Sequence, residues 1–511
     1  MLTSGICYTM RMMREAVLVC TLALVALAFW ASPVQAASLQ EVELVPAQYY
    51  LDVRLGFDSK AKYSESFRYD PDRFLLTFTG CTLTVPAAQR EALAEIDHHL
   101  LTRISLYQNG PNLQLGFYLN QPVKPFIRYD EHNYYLRFYT ATRSERVTQL
   151  ATGVSLIEKT SVYQGCNFQM YLVRVDSGAS VSLYTAGADR YDGKTRRRAP
   201  SSFGRRENAL VVINGGFFGQ AGEHLSTFVE DGVIRATGVY PTRPMLVVTE
   251  AGQVDIGRYS VDTALIAGSI RIPVAAKNYP YENGRVFVYN HRYPIEELPQ
   301  HGMYYYLLED GKLRYYSAST SGLWLAPEVL LIACDILPEV NPLRQIPDGA
   351  AVQLETRITN AAGQTVLAHS AIGGAPMLVE NGAIEISVAA DRVRADIARS
   401  ERSRTAVALS RSGQLLLAVV KEMESAGYGG VTLTALAQLL IDEGAYTAMN
   451  LDGGGSSAIV VAGQLLNLSE AQERPVTNVV VLTEAASALD TTPQDAKAEP
   501  QPAILKYNKN P

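Results

Sequence analysis

Apolar and polar residues alternate in short runs between Gln48 and Tyr139. The pattern is clearest where Leu51, Val53 and Leu55 are each followed by a charged or small residue. Side chains that recur every second residue lie on one face of a strand, so the pattern predicts half-buried β-strands. Four further runs belong to the same block: Phe74–Phe78, Ile104–Tyr107, Leu113–Leu119 and Tyr134–Tyr139. The block therefore predicts a small N-terminal β-sandwich.

Two stretches of this block resemble the AMIN domain, a small β-module found on secreted bacterial envelope proteins. They are Pro71–Gly80, which reads PDRFLLTFTG, and Val123–Tyr129, which reads VKPFIRY. The resemblance implies that residues 42–142 form an AMIN-like β domain and that peptidoglycan is a partner of this domain. An unrelated β-sandwich would give the same alternation and stays open as the alternative.

The first 36 residues have the three parts of a secretory signal peptide. Arg11 and Arg14 precede the apolar stretch Ala16–Trp30, and a small-residue cleavage pattern ends at Ala36. The apolar stretch is shorter than the roughly 20 residues of a membrane-spanning helix, and an uncleaved anchor is the alternative. The sequence predicts residues 1–36 as signal peptide, a periplasmic or secreted protein of the bacterial cell envelope, and no transmembrane span after signal removal.

The composition excludes several classes of protein. A chain of 511 residues, 47% of them hydrophobic, is long enough for roughly two to four domains. The net charge is −6, and the basic cluster Arg190–Arg206 is broken by Pro and Gly, which is typical of a solvated loop. No HExxH, GxSxG or GxxxxGK motif occurs. We therefore expect no metal, no cofactor and no nucleic-acid partner.

Three cysteines, Cys81, Cys166 and Cys334, remain after removal of the predicted signal peptide. Their wide spacing fits neither a zinc site nor a dense disulfide framework. An odd number leaves at least one thiol unpaired within the chain, and the sequence leaves open whether the other two form a disulfide.

Residues 151–485 combine hairpin signals with one clear helix. Thr432 is placed to cap this helix, the apolar side chains after it share one face, and Gly444 marks its end. Residues 140–146 predict a linker, and residues 486–511 predict a disordered tail. The hairpin signals are Asp231-Gly232, Asn283-Gly284, Asp310-Gly311, Asn381-Gly382 and Ser412-Gly413. The chain is thus predicted to be α+β and β-rich, a small β-sandwich followed by a larger mixed α/β domain.

A glycine-rich loop follows a predicted buried strand near the C-terminus. The strand is Ala445–Leu451, the loop Asp452–Ser457 reads DGGGSS, and a second strand, Ala458–Val461, follows. Three glycines leave backbone N–H groups open to a ligand, two hydroxyls add donors, and Asp452 adds a negative charge. The loop predicts a site for a phosphate or sugar oxygen, and a tight turn with a capping Asp is the alternative.

Two other segments carry candidate chemistry. The predicted strand Leu210–Ile213 leads into Asn214–Phe218, where an amide, two glycines and two aromatic rings suit a sugar. Arg404 begins another apolar strand and is a candidate phosphate ligand. The plain alternatives are an Asn-Gly turn with core phenylalanines and a surface ion pair.

Five motifs occur in an order that resembles one family. They are INGGFF from Ile213, IGGAPMLVENG from Ile372, RTAVAL from Arg404, NLDGGGSS from Asn450 and RPVTN from Arg474. The motifs closely resemble those of the phosphodiester glycosidases, and the DGGGSS element is the most specific. The resemblance implies that residues 151–485 hydrolyse the glycosidic bond of a carbohydrate phosphodiester.

Glycoside cleavage passes through an oxocarbenium-like transition state, for which a carboxylate is needed. We therefore predict Asp452 as nucleophile, base or cation-stabilising group, Arg404 as the phosphate-holding residue and Asn214 as the residue that orients the sugar. The sequence leaves open a second carboxylate among Glu230, Asp231, Glu380 and Glu422. The predicted substrate-binding residues are Gly215, Gly216, Phe217, Gly374, Asn450, Gly453, Gly454, Gly455, Ser456, Ser457 and Asn478.

The chain departs from the family pattern at two places. Gly219 stands where an acidic residue is common, and Val420-Lys421-Glu422 stands where Val-Asp-Gly is common. These departures favour an alternative, a non-catalytic envelope protein that binds cell-wall glycan or polysaccharide. The intact DGGGSS and NGGFF elements favour a secreted hydrolase that acts on cell-envelope or exopolysaccharide glycans. The sugar, the aglycone, the stereochemical outcome, any metal requirement and the oligomeric state stay open.

Overall fold

The structure is a computed structural model, and it describes residues 37–485 except 48–49, 69–70, 122, 141–142, 164–165, 190–192, 194–195, 241, 337–339 and 423–428. The predicted signal peptide and the predicted tail lie outside the described residues. Strands far outnumber helices, which confirms the prediction of a β-rich α+β fold. The chain divides into two units. The smaller comprises Met1–Glu145, Lys159–Gln169 and Lys421–Val431, and the larger comprises Arg146–Glu158, Met170–Val420 and Thr432–Pro511.

The smaller unit contains a two-sheet β-sandwich. The strands of the first sheet are β1 (Ala37–Pro46), β2 (Tyr50–Phe57), β5 (Cys81–Leu83), β8 (Phe126–Asp130) and β9 (Asn133–Tyr139), in the order β5-β1-β2-β9-β8. Those of the second are β3 (Lys62–Arg68), β4 (Arg73–Thr79), β6 (Leu101–Asn109) and β7 (Asn112–Leu119), in the order β3-β4-β7-β6. A short helix, Ala87–Ala92, joins β5 to β6.

The predicted alternation decides which side chains form the sandwich core. Every second residue of β2 and β4 is buried, and their side chains meet those of β7 in one apolar cluster. The turn that joins β6 to β7 places Gly110 at a φ of +56°. β1 begins at Ala37, ahead of the predicted domain start at residue 42, and it buries Leu39 and Val42. The predicted β-sandwich is confirmed, whereas its likeness to an AMIN domain stays a prediction.

Four further sheets follow along the chain. An eight-stranded sheet has the order β10-β11-β12-β31-β30-β32-β28-β29, with β10 (Ser144–Ala151), β11 (Val154–Tyr163), β12 (Cys166–Val175), β28 (Met377–Glu380), β29 (Ala383–Ile384), β30 (Arg404–Ser410), β31 (Leu415–Lys421) and β32 (Ala445–Asn450). A five-stranded sheet has the order β13-β35-β14-β33-β34, with β13 (Val181–Gly187), β14 (Val211–Asn214), β33 (Ile459–Val461), β34 (Gln464–Leu465) and β35 (Asn478–Glu484).

The other two sheets contain the strands between β14 and β28. A seven-stranded sheet has the order β16-β15-β27-β17-β18-β19, with β26 also paired to β18; its strands are β15 (Phe228–Glu230), β16 (Val233–Ala236), β17 (Thr242–Thr249), β18 (Val254–Ala267), β19 (Ile270–Val274), β26 (Gln353–Thr359) and β27 (Ala368–Gly373). A six-stranded sheet has the order β20-β21-β24-β22-β23-β25, with β20 (Ala276–Lys277), β21 (Phe287–Tyr289), β22 (Tyr304–Glu309), β23 (Lys312–Ser317), β24 (Leu330–Cys334) and β25 (Ala350–Ala351).

The helices of this part of the chain are short. The α-helices are Pro200–Arg206, Ala395–Arg399 and Leu433–Asp442, and the 3₁₀ helices are Ile295–Glu297, Pro342–Gln345, Gly454–Ser456 and Glu470–Gln472. The helix Leu433–Asp442 is the predicted one, because Thr432 Oγ1 accepts a hydrogen bond from the Ala435 N–H at 3.1 Å and Gly444 has a φ of +96°.

The main core of the larger unit joins side chains from several sheets. Val407 and Met449 come from the eight-stranded sheet, Ile213 and Ile459 from the five-stranded sheet, and Ile372 from the seven-stranded sheet. All five side chains are buried. The ends of β14, β27, β30 and β32 therefore meet at one end of this core, where the predicted site residues lie.

Two local predictions differ from the structure. Asn283-Gly284 precedes β21, which pairs in parallel with β20, so this signal does not mark a hairpin as the other four do. β10 begins at Ser144, so the last residues of the predicted linker are in a strand.

Cys81 and Cys334 are free thiols, and burial raises the pKa of both. Within the described residues, no helix has the length and apolar character to cross a membrane.

Candidate active site

The glycine-rich loop Asp452–Ser457 connects two different sheets. β32 ends at Asn450 in the eight-stranded sheet, and β33 begins at Ile459 in the five-stranded sheet. The chain makes a 3₁₀ turn between them, in which Gly454 has a φ of +60°. Glycine adopts this left-handed conformation at little cost, which explains one of the three consecutive glycines.

Asp452 is held through its backbone on both sides. Its N–H donates to the Gly215 carbonyl at 3.1 Å, and its own carbonyl accepts from Asn214 Nδ2 at 2.8 Å. The side chain is partly exposed, and its Oδ1 accepts from the Gly453 N–H at 3.0 Å. Burial raises the pKa of this carboxyl, while the Ser456 hydroxyl, the Gly453 N–H and the charge of Arg474 lower it. A carboxylate is thus fixed at a partly open position.

Asn214 holds the loop through hydrogen bonds of its side-chain amide. It is fully buried at the end of β14. Its Oδ1 accepts from Thr405 Oγ1 at 2.7 Å and from the Ala458 N–H at 3.1 Å, while its Nδ2 donates to Asp452. These bonds use the amide inside the protein, so the geometry gives Asn214 a positioning role. Its predicted contact with a sugar stays a prediction.

Most amides of the loop are also used within the protein. The Gly453 N–H donates to Asp452, and the Gly454 N–H donates to the Ser403 carbonyl at 2.7 Å. The N–H groups of Ser456 and Ser457 close the 3₁₀ turn. Only the amide of Gly455, an exposed residue, takes no part in these bonds. The loop therefore offers fewer open amides than the sequence predicts.

Two buried oxygens at the loop have no hydrogen-bond partner among the described residues. They are Asn450 Oδ1 and Ser457 Oγ. The Asn450 amide nitrogen is used, because it donates to the Ala375 carbonyl at 2.8 Å and to the Leu451 carbonyl at 2.6 Å. Buried polar atoms are nearly always hydrogen-bonded in native proteins, so these two oxygens are candidates to bind water or a ligand.

Arg404 lies beside Gly453 of the loop and is 2% exposed. Its Nη2 donates to the Ile397 carbonyl at 2.8 Å and to the Ser400 carbonyl at 2.5 Å. Its side chain also lies beside Gly453, where an added Cβ would be 3.7 Å from Arg404 Cδ. The alternative of a surface ion pair is therefore wrong. Binding of phosphate by Arg404 stays a prediction, because the resolved bonds join it to the protein.

The other predicted glycines allow close backbone packing. A Cβ on Gly215 would lie 2.1 Å from Asn478 Oδ1, and one on Gly374 would lie 2.4 Å from the Asn450 carbonyl oxygen. The Gly216 N–H donates to Asn478 Oδ1 at 2.7 Å. These residues thus bring β14, β27, β32 and β35 together, and a direct contact of each with substrate stays a prediction.

Two guanidinium groups flank one aromatic ring beside the loop. Arg474 and Arg197 lie 5.3 Å and 5.0 Å from the centroid of the Phe218 ring. Arg474 is exposed, and its Nη1 lies 3.4 Å from Ser456 Oγ, the hydroxyl that also contacts Asp452. Phe217, the predicted sugar contact, is partly exposed. Arg474 is not among the predicted site residues, although its place in the RPVTN motif is a signal for it.

Glu223 is a second residue of this region that is not among the predicted site residues. A Cβ on Gly219 would lie 1.9 Å from Glu223 Oε1, so this carboxylate occupies the space of a side chain at position 219. The two residues are also joined by a hydrogen bond from the Gly219 N–H to the Glu223 carbonyl at 2.9 Å. Glu223 Oε2 is buried and has no hydrogen-bond partner among the described residues. An acidic group is therefore present at Gly219, and it comes from four residues further along the chain.

The four carboxylates considered from the sequence have other surroundings. Glu230 is fully buried and pairs with Arg235 at 3.2 Å, and Glu380 pairs with Arg258 at 3.3 Å. Asp231 lies in the turn between β15 and β16 with a φ of +50°. Glu422 is exposed and belongs to the smaller unit. Glu223 is the only one of these five acidic residues with a buried oxygen for which the described residues provide no partner.

His224 completes the support of Asn478. It is buried, it stacks on Phe228 at 4.4 Å, and its Nδ1 lies 2.8 Å from Asn478 Nδ2. Burial lowers the pKa of His224 to about 4, against the opposing charge of Asp189. The ring is therefore neutral near pH 7, with Nδ1 as acceptor and the proton assigned to Nε2. Within the described residues, no group of three or more His, Cys, Asp or Glu side chains is arranged to hold a metal ion.

Comparison with known protein families identifies the domain that contains this loop. Residues 341–483 match the model of the phosphodiester glycosidase family. This part of the chain is a phosphodiester glycosidase domain. The match confirms the resemblance for the four motifs from Ile372 onward, whereas the INGGFF motif lies outside the matched residues. The glycosidase domain contains Asp452, Arg404 and Arg474, whereas Asn214 and Glu223 lie before the matched residues.

Three solved structures are similar to the chain. A hypothetical protein from Synechocystis has a TM-score of 0.60 at 19% identity, over 87% of this chain and 80% of that one. A putative exported protein from Burkholderia pseudomallei has a TM-score of 0.53 at 16% identity, over 88% and 97%. These two share the fold.

The third similar structure is the catalytic domain of zebrafish N-acetylglucosamine-1-phosphodiester alpha-N-acetylglucosaminidase, auto-inhibited by its pro-peptide. It has a TM-score of 0.37 at 16% identity, over 68% of this chain and 89% of that one. A comparison with curated proteins found no match.

Proposed function

We propose that the chain is a hydrolase that cleaves the glycosidic bond of a sugar-1-phosphodiester. The observation that carries the proposal is the position of the Asp452 carboxylate. This carboxylate belongs to the residues that match the family, its backbone is held by Asn214 and Gly215 from outside the match, and it lies beside the Ser456 hydroxyl and Arg474. A carboxylate next to a cation suits a reaction in which positive charge develops on the sugar while an anion leaves.

The reaction consumes one water molecule. The bond between the anomeric carbon and the phosphate oxygen breaks, the electron pair leaves with the phosphate, and water supplies the new oxygen on the sugar. The products are the free sugar and a phosphomonoester. Asp452 stabilises the oxocarbenium-like carbon or attacks it, and the Arg474 guanidinium balances the charge of the phosphate.

Glu223 is our choice for the second carboxylate. Its Oε2 is buried without a partner in the described part of the chain, so it is free to accept a proton from water or a hydrogen bond from a sugar hydroxyl. Arg197, whose Nη2 donates to the Gly219 carbonyl at 2.9 Å, holds the adjoining backbone. Glu230 and Glu380 each form an ion pair with an arginine, which a catalytic role would disturb. Glu223 Oε2 has no partner among the described residues, so the same objection does not apply to it.

The proposed location is the periplasm or the outside of a bacterial cell. The signal-peptide pattern of residues 1–36 supports export, and the proposed substrates are therefore phosphodiester-linked glycans of the cell envelope or exopolysaccharides. Peptidoglycan is the proposed partner of the N-terminal β-sandwich, on the basis of its resemblance to AMIN domains.

A non-catalytic polysaccharide-binding protein is the second candidate. It is favoured by the internal use of the Asn214 amide and of the amides of Gly453, Gly454, Ser456 and Ser457. Such satisfied groups stabilise a loop without any need for a reaction.

A release assay separates the two candidates. The full protein is incubated with a panel of chromogenic sugar-1-phosphodiesters, and free sugar and phosphomonoester are both quantified. The hydrolase predicts equal amounts of the two products in wild type and about 10²- to 10³-fold less of both in Asp452→Asn. Binding of the same compounds without release in either protein would support the non-catalytic candidate.

A further inference from the structure

A second cleft lies on the six-stranded sheet of the larger unit, within residues that precede the family match. It has a volume of about 750 Å³, and its walls include the 3₁₀ helix Ile295–Glu297, Gln300, His301 and the loop from Ala318 to Leu323. Trp324 follows this loop directly and is 79% exposed, more than any other large hydrophobic side chain of the described residues. Tryptophan is mostly buried in folded proteins, so this degree of exposure needs a reason.

Trp324 is held outward by its neighbours. Leu325 is 3% exposed in the apolar core of the six-stranded sheet, and Leu323 packs against the same core. With an anchored leucine on each side, the indole cannot turn inward without removing one of them from the core. The outward position of Trp324 therefore follows from its neighbours, and an exposed indole offers a flat apolar face to a ligand.

The polar wall of the cleft is pre-organised by one amide. Gln300 Nε2 donates to Thr320 Oγ1 at 2.8 Å and to the Leu298 carbonyl at 2.9 Å, and its Oε1 accepts from Ser319 Oγ at 3.0 Å. These bonds fix the Ser319 hydroxyl in the wall of the cleft, whereas Thr320 is buried and its hydroxyl is bonded inside the protein. Hydroxyls both donate and accept hydrogen bonds, as the hydroxyls of a sugar do.

The charge of the cleft differs from that of the candidate active site. Among the described residues that line it there is no Lys or Arg, and Glu296 is its one carboxylate. At the candidate active site, by contrast, Arg474 and Arg197 flank Phe218. The cleft therefore suits an uncharged ligand and gives no site for a phosphate group.

One stretch of chain joins the surroundings of the two sites. Arg292 Nη1 pairs with Asp189 at 3.0 Å. The negative charge of Asp189 in turn raises the pKa of the buried His224 ring, against the larger effect of burial. Burial, followed by the negative charge of Glu223, raises the pKa of Tyr293, which is consistent with the nearness of the two side chains. Two residues later the chain enters Ile295–Glu297, the wall of the cleft.

We propose that this cleft and Trp324 bind uncharged sugar units of a glycan chain. Sugar rings present an apolar face that stacks on the indole and an edge of hydroxyls that suits the accessible polar side chains of the cleft, Ser319, Ser321 and His301. Resting on the proposed function, the bound units belong to the same glycan whose phosphodiester lies at Asp452, so the cleft selects polymeric over small substrates.

Binding is tested with the full chain and neutral hexasaccharides: maltohexaose, cellohexaose and chitohexaose, with their monosaccharides as controls. Calorimetry gives the affinity, and the difference in fluorescence between wild type and Trp324→Phe isolates the signal of Trp324, because Trp30 is the only other tryptophan. We expect saturable binding of at least one hexasaccharide with a change in Trp324 emission. Trp324→Ala should weaken it about tenfold or more, as expected for an aromatic anchor.

Tyr107→Ala is the matched control, since Tyr107 is 61% exposed on the β-sandwich of the smaller unit. We expect this variant to bind as wild type does. Gln300→Ala should also weaken binding, through the loss of the ordered Ser319 hydroxyl. Absence of saturable binding by all three hexasaccharides, or equal affinity of Trp324→Ala and wild type, overturns the proposal.

Turnover separates this inference from the proposed function. Trp324→Ala should lower kcat/KM for a polymeric phosphodiester glycan and leave the release from a small chromogenic phosphodiester unchanged. If the hexasaccharides bind at Trp324 but no phosphodiester is hydrolysed, the proposed function fails and the cleft stands. If small phosphodiesters are hydrolysed but the hexasaccharides do not bind, the cleft fails and the proposed function stands.

Discussion

The N-terminal β-sandwich and the candidate active site differ in what they bury. Between residues 37 and 145, the described residues include no buried polar or charged side chain apart from tyrosines. At the candidate site, by contrast, many polar side chains are at most 2% exposed, among them Asn214, Arg404, Thr405, Asn450, Ser456, Ser457 and Asn478. Burial of a polar group costs free energy unless the group is hydrogen-bonded. The candidate site therefore depends on hydrogen bonds between buried side chains, and the core of the sandwich does not.

This difference separates a scaffold from a site. The sandwich follows one rule, apolar side chains inside and polar ones outside, and it is satisfied by alternation alone. The candidate site satisfies most of its buried polar atoms and leaves a few without a partner, including Asn450 Oδ1, Ser457 Oγ and Glu223 Oε2. Buried atoms without a partner among the described residues also occur in the sandwich, at Arg73 Nε and Asn112 Oδ1, so the three at the candidate site are candidates to bind a substrate only because they lie beside the family motifs.

The sharpest test of the comparison is Asp452→Asn. We expect turnover to fall by about 10²- to 10³-fold, because the charge that stabilises the transition state is lost. The folded-state pKa of Asp452 is raised above 3.8, so the stability it contributes is present below that pH and lost as pH rises through the folded-state value. The variant should therefore melt at the same or a higher temperature than wild type at neutral pH. A clearly lower Tm together with wild-type turnover would show that Asp452 is only a turn-capping residue.

Arg404→Ala is expected to act on stability. The change removes a buried guanidinium that donates to the carbonyls of Ile397 and Ser400, and it leaves both without this donor. We expect a loss of about 3–4 kcal/mol in the free energy of unfolding, measured by chemical denaturation. A stable Arg404→Ala protein that has lost turnover would instead favour the phosphate-binding role predicted from the sequence.

Phe117→Ala is the counterpart in the sandwich. Phe117 is fully buried between Phe74 and Phe138, with ring centroids 6.2 Å and 5.5 Å away. Its truncation should cost about 3–4 kcal/mol of stability. Because the sandwich supplies no proposed catalytic group, kcat/KM should stay at the wild-type value below the unfolding transition. A fall in kcat of the folded variant would contradict this division of labour.

His224 should make the candidate site sensitive to acid. Its folded-state pKa of about 4 lies below the ordinary 6.5, so its contribution to stability is present above pH 6.5 and lost as pH falls towards 4. The loss is ~3 kcal/mol for a shift of this size. Unfolding measured across this range should show a smaller acid-induced loss in His224→Gln than in wild type, and identical slopes would refute the assignment.

Arg474→Ala is expected to give the smallest effect. Arg474 is exposed, so its removal should leave the Tm nearly unchanged. We expect kcat/KM for a sugar-1-phosphodiester to fall about tenfold, with less change for a neutral aryl glycoside, since only the first has a phosphate to hold. Arg474→Lys should recover part of the rate. An equal fall for both substrates would argue against phosphate binding.

Much of the fold could be predicted from the sequence because its signals are local. The runs at Leu51 and Phe74 are strands, Thr432 caps its helix, and Asp310-Gly311 turns a hairpin with positive φ at both residues. Each of these depends on neighbours within a few positions. Asn283-Gly284 failed as a hairpin because strand partners are chosen by the whole sheet, and β20 and β21 pair in parallel.

The sequence alone determined the β-rich fold class, the caps and turns, and the motifs that resemble those of phosphodiester glycosidases. Only the tertiary structure decided which polar atoms of those motifs are hydrogen-bonded within the protein and which remain available to a ligand. Asn214 bonds to Ala458, 244 positions away, and Asn478 bonds to Gly216, 262 positions away. The Glu223 carboxylate occupies the space beside Gly219 because the fold brings these two residues together. A residue's type gives its chemistry, but its partners depend on contacts between distant segments, and these contacts are made only when the sheets pack.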